Sequence, residues 1–317
     1  MKTRPVGRTR LAVTELGFGG ASLGNLYRPT DEGTGRAAVE AAYEAGIRYF
    51  DTAPHYGLGL SEERLGRALA GVPREDYVLS TKVGRLLDRN PNPTGSDLEV
   101  GGFDVPDTWI RRWDFSARGV RTSLERSLQR LGVDRVDIVY VHDPDDHVDQ
   151  TIAEAVPALV ELREQGIIGA VGVGMNQWEA PLRIVEETDV DVVMLAGRWT
   201  LLDRSSRPLL DACAARQVSV VAAAPYNSGL LARHRPEPGA RFDYLPASDE
   251  LLRRVHALAD TCERWDVTLP DAAVQHPLRH PAVVSVVAGL RAPAQVRQFV
   301  ERYATTVPAD AWPELDR

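Results

Sequence analysis

Short apolar segments alternate with amphipathic helical patterns along the whole chain, and turn-forming residues separate them. Most of these segments start about 30 residues apart, which is the length of a unit of strand, helix and parallel strand. Two intervals are longer, and each contains an insertion. Eight strands alternating with helices in this way predict an α/β fold, a (β/α)8 TIM barrel. The strands are predicted to begin near Leu16, Arg48, Tyr77, Val136, Ile168, Asp191, Val218 and Val283.

The predicted strands are almost continuously apolar, as in residues 136–141 and 218–224. This pattern is typical of parallel strands that are covered on both faces. A doubly wound sheet is the alternative, but the first strand-to-helix turn, residues 17–24, lacks the GxGxxG spacing of that class. The residues before Leu16 are predicted to form a short N-terminal hairpin that closes the bottom of the barrel. Residues 1–317 are thus expected to form a single barrel domain.

Two insertions, at about residues 84–115 and 226–247, each follow a predicted strand. In a barrel, both therefore lie as long loops on the C-terminal face, where barrel enzymes have their active sites. Loops of this length are usually functional or disordered. Trp109, Trp113 and Phe115 favour a partly ordered first loop.

Charge and composition limit the partners of the chain. Lys and Arg number 37 against 45 Asp and Glu, a net charge of −8, so nucleic-acid binding is not expected. No run approaches the ~20 apolar residues of a membrane helix, and the basic N-terminus has no apolar signal-peptide core. Cys213 and Cys262 form no CxxC motif, which favours a reducing cytoplasm. A small-molecule substrate is the expected partner, and the oligomeric state is left open.

Four polar residues lie at or just after the ends of adjacent predicted strands: Asp51, Tyr56, Lys82 and His142. In a barrel they would meet at one mouth, and polar residues at such strand ends are typically catalytic. A lysine within an apolar strand needs a partner, and Asp51 on the neighbouring strand is the natural one. The Lys82 ammonium is expected to lower the pKa of Tyr56. Tyr56 then serves as general acid or base, while His142 orients the substrate oxygen.

Two other interpretations of these residues are available. Lys82 could form a Schiff base in an aldolase, because a lysine among apolar residues suits that chemistry. Residues 142–147, His-Asp-Pro-Asp-Asp-His, have the composition of a metal cluster but no defined ligand geometry. No metal site is predicted there, and a catalytic histidine followed by a solvated acidic loop is the preferred interpretation.

The sequence around these residues resembles the aldo-keto reductases over essentially the whole chain. The resemblance includes residues 16–19, 50–53, 56–57, 61–62, 81–82, 118–134, 142, 172–176 and 286–289. Other stretches are more specifically similar to the branch of the D-threo-aldose 1-dehydrogenases, or L-fucose dehydrogenases. Those stretches are residues 24–27, 56–62, 82–87, 196–202 and 225–229. Pyridoxal 4-dehydrogenases are similar as well.

This resemblance implies a nicotinamide cofactor, NAD or NADP, bound without a Rossmann domain. It implies that Asn176 holds the carboxamide, that residues 225–231 line the pyrophosphate, and that residues near 289–295 flank the adenosine end. The full set of cofactor contacts implied is Gly20, Ala21, Asp51, Asn176, Pro225, Asn227, Ser228, Gly229, Leu230, Gly289, Leu290, Arg291 and Gln295. Ala292 stands where relatives often have a serine, which removes one hydroxyl donor for a 2′-phosphate.

The substrate contacts expected are Asn25, His55, Trp109, Trp113 and Trp199. Tryptophan faces suit the C–H faces of a sugar, although large aromatic side chains also anchor loops. The expected reaction moves a hydride between a nicotinamide and C1 of an aldose such as L-fucose or D-arabinose, which gives a lactone. The alternatives are a pyridoxal 4-dehydrogenase, a general aldehyde or ketone reductase, a Schiff-base aldolase and a non-enzymatic nicotinamide sensor.

Overall fold

The computed structural model describes residues 1–243 and 245–317. Within them, eight parallel strands close into a barrel in which each strand pairs with the next in sequence and the last pairs with the first. This confirms the predicted (β/α)8 fold, and each strand starts within two residues of its predicted position. The strands are β1 Leu16–Gly19, β2 Tyr49–Asp51, β3 Val78–Val83, β4 Ile138–His142, β5 Ala170–Met175, β6 Val192–Ala196, β7 Ser219–Ala223 and β8 Val283–Gly289.

Helices surround the barrel and pack their apolar faces on the outside of the strands. The longer ones are α1 Glu32–Glu44, α2 Leu60–Leu69, α3 Ala117–Leu131, α4 Val156–Glu164, α5 Glu179–Glu187, α6 Arg207–Arg216, α7 Asp249–Arg264, α8 Leu269–Gln275 and α9 Pro293–Ala304. Single helical turns or short helical segments occur at Leu98–Gly101, Val148–Gln150 and Trp312–Leu315. The largest buried cluster lies between the strands and these helices, so both faces of the strands are covered, as their continuous apolar character predicts.

The barrel interior beneath the C-terminal mouth contains two buried tyrosines. The hydroxyls of Tyr49 and Tyr140 lie 2.9 Å apart, and Ser80 Oγ donates a 3.2 Å hydrogen bond to Tyr49. Ser80 Oγ lies 2.7 Å from Asp51 Oδ1. A buried hydrogen-bonded chain therefore rises from the barrel core to the carboxylate at the end of β2, and it fixes the position of that carboxylate.

The N-terminal hairpin closes the opposite end of the barrel, as predicted. Its strands, Thr3–Pro5 and Ala12–Thr14, pair in antiparallel fashion. Val6, between them, is fully buried, and the backbone N–H of Gly7 donates a 2.7 Å hydrogen bond to Ser219 Oγ at the start of β7. Substrate access is therefore confined to the C-terminal face.

The first insertion is ordered and folds over the C-terminal mouth. Its strands Arg85–Arg89 and Trp109–Trp113 form an antiparallel ribbon, hereafter the insertion ribbon. An isolated bridge between Leu26 and Phe103 ties the loop to the chain after β1. In the second insertion, Arg241–Phe242 pairs with Leu245–Pro246. Both long loops thus lie on the predicted face of the barrel.

Within residues 1–243 and 245–317, no helix is both long enough and apolar enough to cross a membrane.

Candidate active site

A buried ion pair lies at the C-terminal mouth of the barrel, between the ends of β2 and β3. Lys82 Nζ lies 2.6 Å from Asp51 Oδ2 and donates a second hydrogen bond of 2.9 Å to the carbonyl oxygen of Thr52. Both side chains are almost completely buried. The neighbouring carboxylate raises the pKa of Lys82 above its ordinary value despite burial, so the side chain remains an ammonium.

Tyr56 lies directly above this ion pair, in the turn that follows β2. Lys82 Nζ is 4.7 Å from the centroid of its ring. Burial raises the pKa of the Tyr56 hydroxyl, the Lys82 ammonium opposes that rise, and the Asp51 charge adds to it. The sum of these effects raises the pKa of Tyr56, because desolvation outweighs the influence of the ammonium. The expectation that Lys82 lowers this pKa below its ordinary value is therefore wrong. Tyr56 holds its proton at neutral pH.

His142 lies at the end of β4, with its ring edge-on to Tyr56 at a centroid distance of 5.8 Å. Burial and the charges of Arg85 and Lys82 lower its pKa far below the ordinary value, so the imidazole is neutral. Its Nδ1 atom is buried and has no hydrogen-bond partner within the described part of the chain. A neutral imidazole packed against the Tyr56 ring is suited to binding a substrate oxygen.

The structure thus brings the four predicted catalytic residues together at one mouth. An apolar cluster of Leu58, Leu87, Phe103 and Val105 forms one side of this mouth, and Tyr56 and Trp109 pack against it. Trp109 is additionally covered by Arg89, whose guanidinium carbon lies 4.1 Å from the ring centroid. This cluster keeps bulk water away from one side of the Tyr56 ring.

The predicted cofactor residues lie along the same face, beyond the tetrad formed by Asp51, Tyr56, Lys82 and His142. Asn176 follows β5 and lines a narrow cavity together with Gly197, Asn227 and Ser228. Asn227 Nδ2 donates a 3.0 Å hydrogen bond to the Gly197 carbonyl, while its Oδ1 is buried with no partner among the described residues. The turn from Pro225 to Leu230 is tight, with positive φ at Asn227, Ser228 and Gly229.

At the far end of this face, Gly289 and Leu290 follow β8 and Arg291 precedes α9. The Gly289 backbone lies next to Ser22, in the turn that also contains Gly20 and Ala21. Gln295 Oε1 accepts a 2.8 Å hydrogen bond from the Arg291 N–H. The Arg291 guanidinium binds the Leu26 and Arg28 carbonyls, at 2.7 and 2.8 Å, and Thr30 Oγ1.

Three of the residues predicted to bind substrate, Asn25, Trp113 and Trp199, make other contacts within the protein. Asn25 Nδ2 donates to the Asp104 carbonyl, and its Oδ1 accepts from the Thr30 N–H and from Arg64, so its amide anchors loops. Trp113 is half exposed, and the Arg85 guanidinium lies 5.8 Å from its ring centroid.

Trp199 lies outside the tetrad. Its indole N–H donates to the Pro277 carbonyl, and its ring packs against His276 and His280. It lines a separate cavity of about 480 Å³ together with Arg204 and Arg279. The contacts of Trp199 therefore do not support its predicted substrate role.

Comparison with known proteins decides the family. A model of the aldo/keto reductase family matches residues 15–317. The chain is an aldo-keto reductase. A D-threo-aldose 1-dehydrogenase from a Pseudomonas species is 47% identical over 96% of this chain and 94% of its own length. A pyridoxal 4-dehydrogenase from Microbacterium luteolum is 40% identical over 98% of this chain and 96% of its own.

A solved structure agrees with this assignment. The holo form of an aldo-keto reductase from Bacillus halodurans superposes with a TM-score of 0.81 at 30% identity, covering 100% of this chain and 97% of that one. This reductase is accordingly an NAD(P)-dependent oxidoreductase.

The residues of this reductase fit a nicotinamide cofactor. The amide side chains of Asn176 and Asn227 line one narrow cavity together with the small residues Ala196 and Gly197. The buried, unpartnered Oδ1 of Asn227 is an acceptor that a bound group could satisfy. Among the described residues of the reductase, no group of three or more His, Cys, Asp or Glu side chains is arranged to hold a metal ion.

Schiff-base chemistry does not suit Lys82 in this reductase. A nucleophilic lysine needs a neutral amine, whereas the pKa of Lys82 is raised by Asp51. Its Nζ also donates two short hydrogen bonds within the protein.

Sequence reasoning missed two arginines of the insertion ribbon that lie next to the tetrad. Arg85 lies 2.7 Å from Asp143, the residue after His142, and Arg111 contacts His55. Both contacts join residues more than 50 positions apart in the sequence. Local patterns carry no information on such pairs.

Proposed function

We propose that this reductase oxidises C1 of an aldose of the L-fucose or D-arabinose type to the corresponding lactone. The observation that carries the proposal is the buried Asp51–Lys82 pair beneath Tyr56, with the neutral ring of His142 edge-on to the Tyr56 ring at one mouth. The 47% identity to a D-threo-aldose 1-dehydrogenase supports a sugar as substrate. Residues 1–317 would act as one domain.

In this proposal, His142 holds the oxygen on C1, and Tyr56 takes the proton of the anomeric hydroxyl. The C1–H bond breaks as a hydride leaves, and the C1–O bond becomes the carbonyl of the lactone. A nicotinamide held by Asn176 and residues 225–231 would supply the acceptor for that hydride. Lys82 stabilises the tyrosinate that proton abstraction requires, because an adjacent ammonium favours the charged phenolate. Asp51 keeps Lys82 charged and in place.

The proposal is tested by initial rates measured through nicotinamide absorbance, with NAD and NADP separately. L-Fucose, D-arabinose, L-galactose and pyridoxal are offered for oxidation, and an aromatic aldehyde for reduction. Oxidation of one sugar far above the other compounds is expected. Activity on pyridoxal alone would favour the second candidate, a pyridoxal dehydrogenase, which the 40% identical relative supports. Activity on the aromatic aldehyde alone would indicate a general carbonyl reductase.

The raised pKa of Tyr56 predicts opposite pH profiles for the two directions of reaction. Oxidation needs the deprotonated tyrosine, so kcat/KM should rise about tenfold per pH unit between about pH 7 and pH 9. Reduction needs the protonated form and should be nearly constant over that range. The lowered pKa of His142 keeps this residue neutral, so it should add no acidic limb. Parallel profiles for the two directions would contradict the assignment of Tyr56.

We propose that the enzyme is located in the cytoplasm. Cys213 and Cys262 are both free and buried, which fits the reducing cytoplasm expected from the cysteine pattern.

A further inference from the structure

The insertion ribbon carries a buried arginine toward the active site. Arg111 lies on the strand Trp109–Trp113 and forms two hydrogen bonds of 2.6 Å with the carboxylate of Asp97. The two side chains are only 7% and 5% exposed. Such a two-pronged pair fixes both the position and the plane of the guanidinium. Arg111 is therefore a rigid group.

The remaining donors of Arg111 are directed at His55, the residue before Tyr56. Its Nη2 donates a 3.1 Å hydrogen bond to the His55 carbonyl, and its Nε donates to His55 Nδ1. A guanidinium is always protonated and has no acceptor, so the nitrogen it contacts must carry a lone pair. The proton of the neutral ring is therefore on Nε2.

The charge state of His55 follows from its surroundings. Burial and the positive charges of Arg111, Arg85 and Lys82 lower the pKa of His55 to about 2. His55 is accordingly neutral at every pH at which the enzyme would work.

The Nε2–H donor of His55 has no hydrogen-bond partner in residues 1–243 and 245–317. The Nε2 atom is also not completely buried. The His55 ring lies 5.5 Å from the His142 ring and 6.0 Å from the Tyr56 ring, measured between centroids. The free donor thus lies beside the two groups proposed to hold the reacting oxygen.

We propose that Arg111 is a positioning residue that holds His55 as a neutral Nε2–H donor, and that this donor binds a second oxygen of the substrate, next to the reacting carbon. In an aldose, the ring oxygen and the C2 hydroxyl meet that description. The naming of a sugar rests on the proposed function, whereas the tautomer of His55 does not. A substrate without a neighbouring oxygen would gain nothing from this donor.

The tautomer is tested by NMR of the full-length protein with ¹⁵N-labelled histidine. The expected spectrum shows His55 with a protonated Nε2 and an unprotonated Nδ1, with no titration between pH 5 and pH 9. His55→Gln identifies the signal. A proton on Nδ1 in the unaltered protein would overturn the proposal, whatever the substrate proves to be.

The specificity role is tested with Arg111→Gln combined with Asp97→Asn, which removes the buried pair without leaving one charge uncompensated. Sugar oxidation should fall about 10- to 100-fold in kcat/KM, the effect of losing one well-placed hydrogen bond to the substrate. Reduction of an aromatic aldehyde without a neighbouring oxygen should change less than about threefold. His55→Gln should give the same split between the two substrates.

The tautomer of His55 separates positioning from loop anchoring. Arg111 Nε is the group that makes Nδ1 of His55 an acceptor, so the ¹⁵N spectrum of the double variant should show both tautomers of His55. Arg112→Gln, on the adjacent and exposed position of the same strand, is the matched control and should keep both activities and the single tautomer. Equal losses on sugar and aldehyde, with an unchanged tautomer, would overturn the positioning role. No sugar turnover in the unaltered enzyme would instead contradict the proposed function.

Discussion

Replacing Tyr56 with phenylalanine is expected to lower turnover in both directions by about 10²- to 10⁴-fold, the usual contribution of a positioned general acid or base. The hydroxyl is the proton-transferring group placed between the Lys82 ammonium and neutral His142. Phenylalanine keeps the ring that packs on the apolar cluster around Phe103. The fold and the cofactor contacts should therefore remain intact.

Steady-state rates and a fluorescence titration with the reduced cofactor measure the two effects of Tyr56→Phe separately. The dissociation constant of the cofactor should stay within about twofold of its original value, because the tyrosine hydroxyl makes no part of the cavity around Asn176 and Asn227. Tyr43→Phe, on α1, removes only a hydroxyl that hydrogen-bonds Asp76; it is the matched control and should leave turnover unchanged. Full activity in Tyr56→Phe would mean that another group transfers the proton.

Replacing Lys82 with methionine is expected to abolish turnover and to destabilise the fold by about 3–5 kcal/mol, the cost of leaving one member of a buried ion pair unpaired. Lys82 is 2% exposed and provides the hydrogen bond to Asp51 Oδ2. Methionine fills a similar volume, so the loss would come from charge rather than from a cavity. Chemical denaturation measures the free energy of unfolding.

The double variant Asp51→Asn, Lys82→Met separates stability from catalysis. Removing both charges leaves no buried ion, and Ser80 can still hydrogen-bond the asparagine side chain. Most of the lost stability should return, while turnover should stay as low as in Lys82→Met. Recovery of activity in the double variant would show that the ion pair has no catalytic role. A single variant as stable as the original protein would show that Asp51 is protonated in the fold.

The barrel was predictable because its eight strands are short and apolar and most are regularly spaced, and β1 to β8 begin within two residues of the expected positions. The tetrad was predictable because strand ends meet at one mouth in any barrel. Lys82 is also one of only two lysines, with Lys2, in a chain of 37 Lys and Arg residues. A compact ammonium at this buried position is thus a marked departure from the arginine usage of the chain.

What the sequence left undetermined depends on long-range packing. The pKa of Tyr56 is raised because its side chain is buried, in part against residues of the insertion. The charges of the four site residues do not predict that this burial outweighs the effect of the Lys82 ammonium. Trp199 was expected to contact substrate because tryptophan faces suit a sugar, yet its indole N–H donates to Pro277 and its ring packs against the imidazoles before β8. Asn25 was assigned to substrate without knowledge of Asp104, which occupies its amide.

Hydride transfer from C1 is the central step of the proposed reaction, and isotope labelling tests it directly. L-Fucose and D-arabinose carrying deuterium at C1 are incubated with the enzyme and oxidised NAD or NADP, and the reduced cofactor is analysed by mass spectrometry. Deuterium is expected to move to the cofactor, and the sugar is expected to become a lactone. A cofactor reduced without deuterium, or no reduction by either sugar while an aldehyde is reduced, would contradict it.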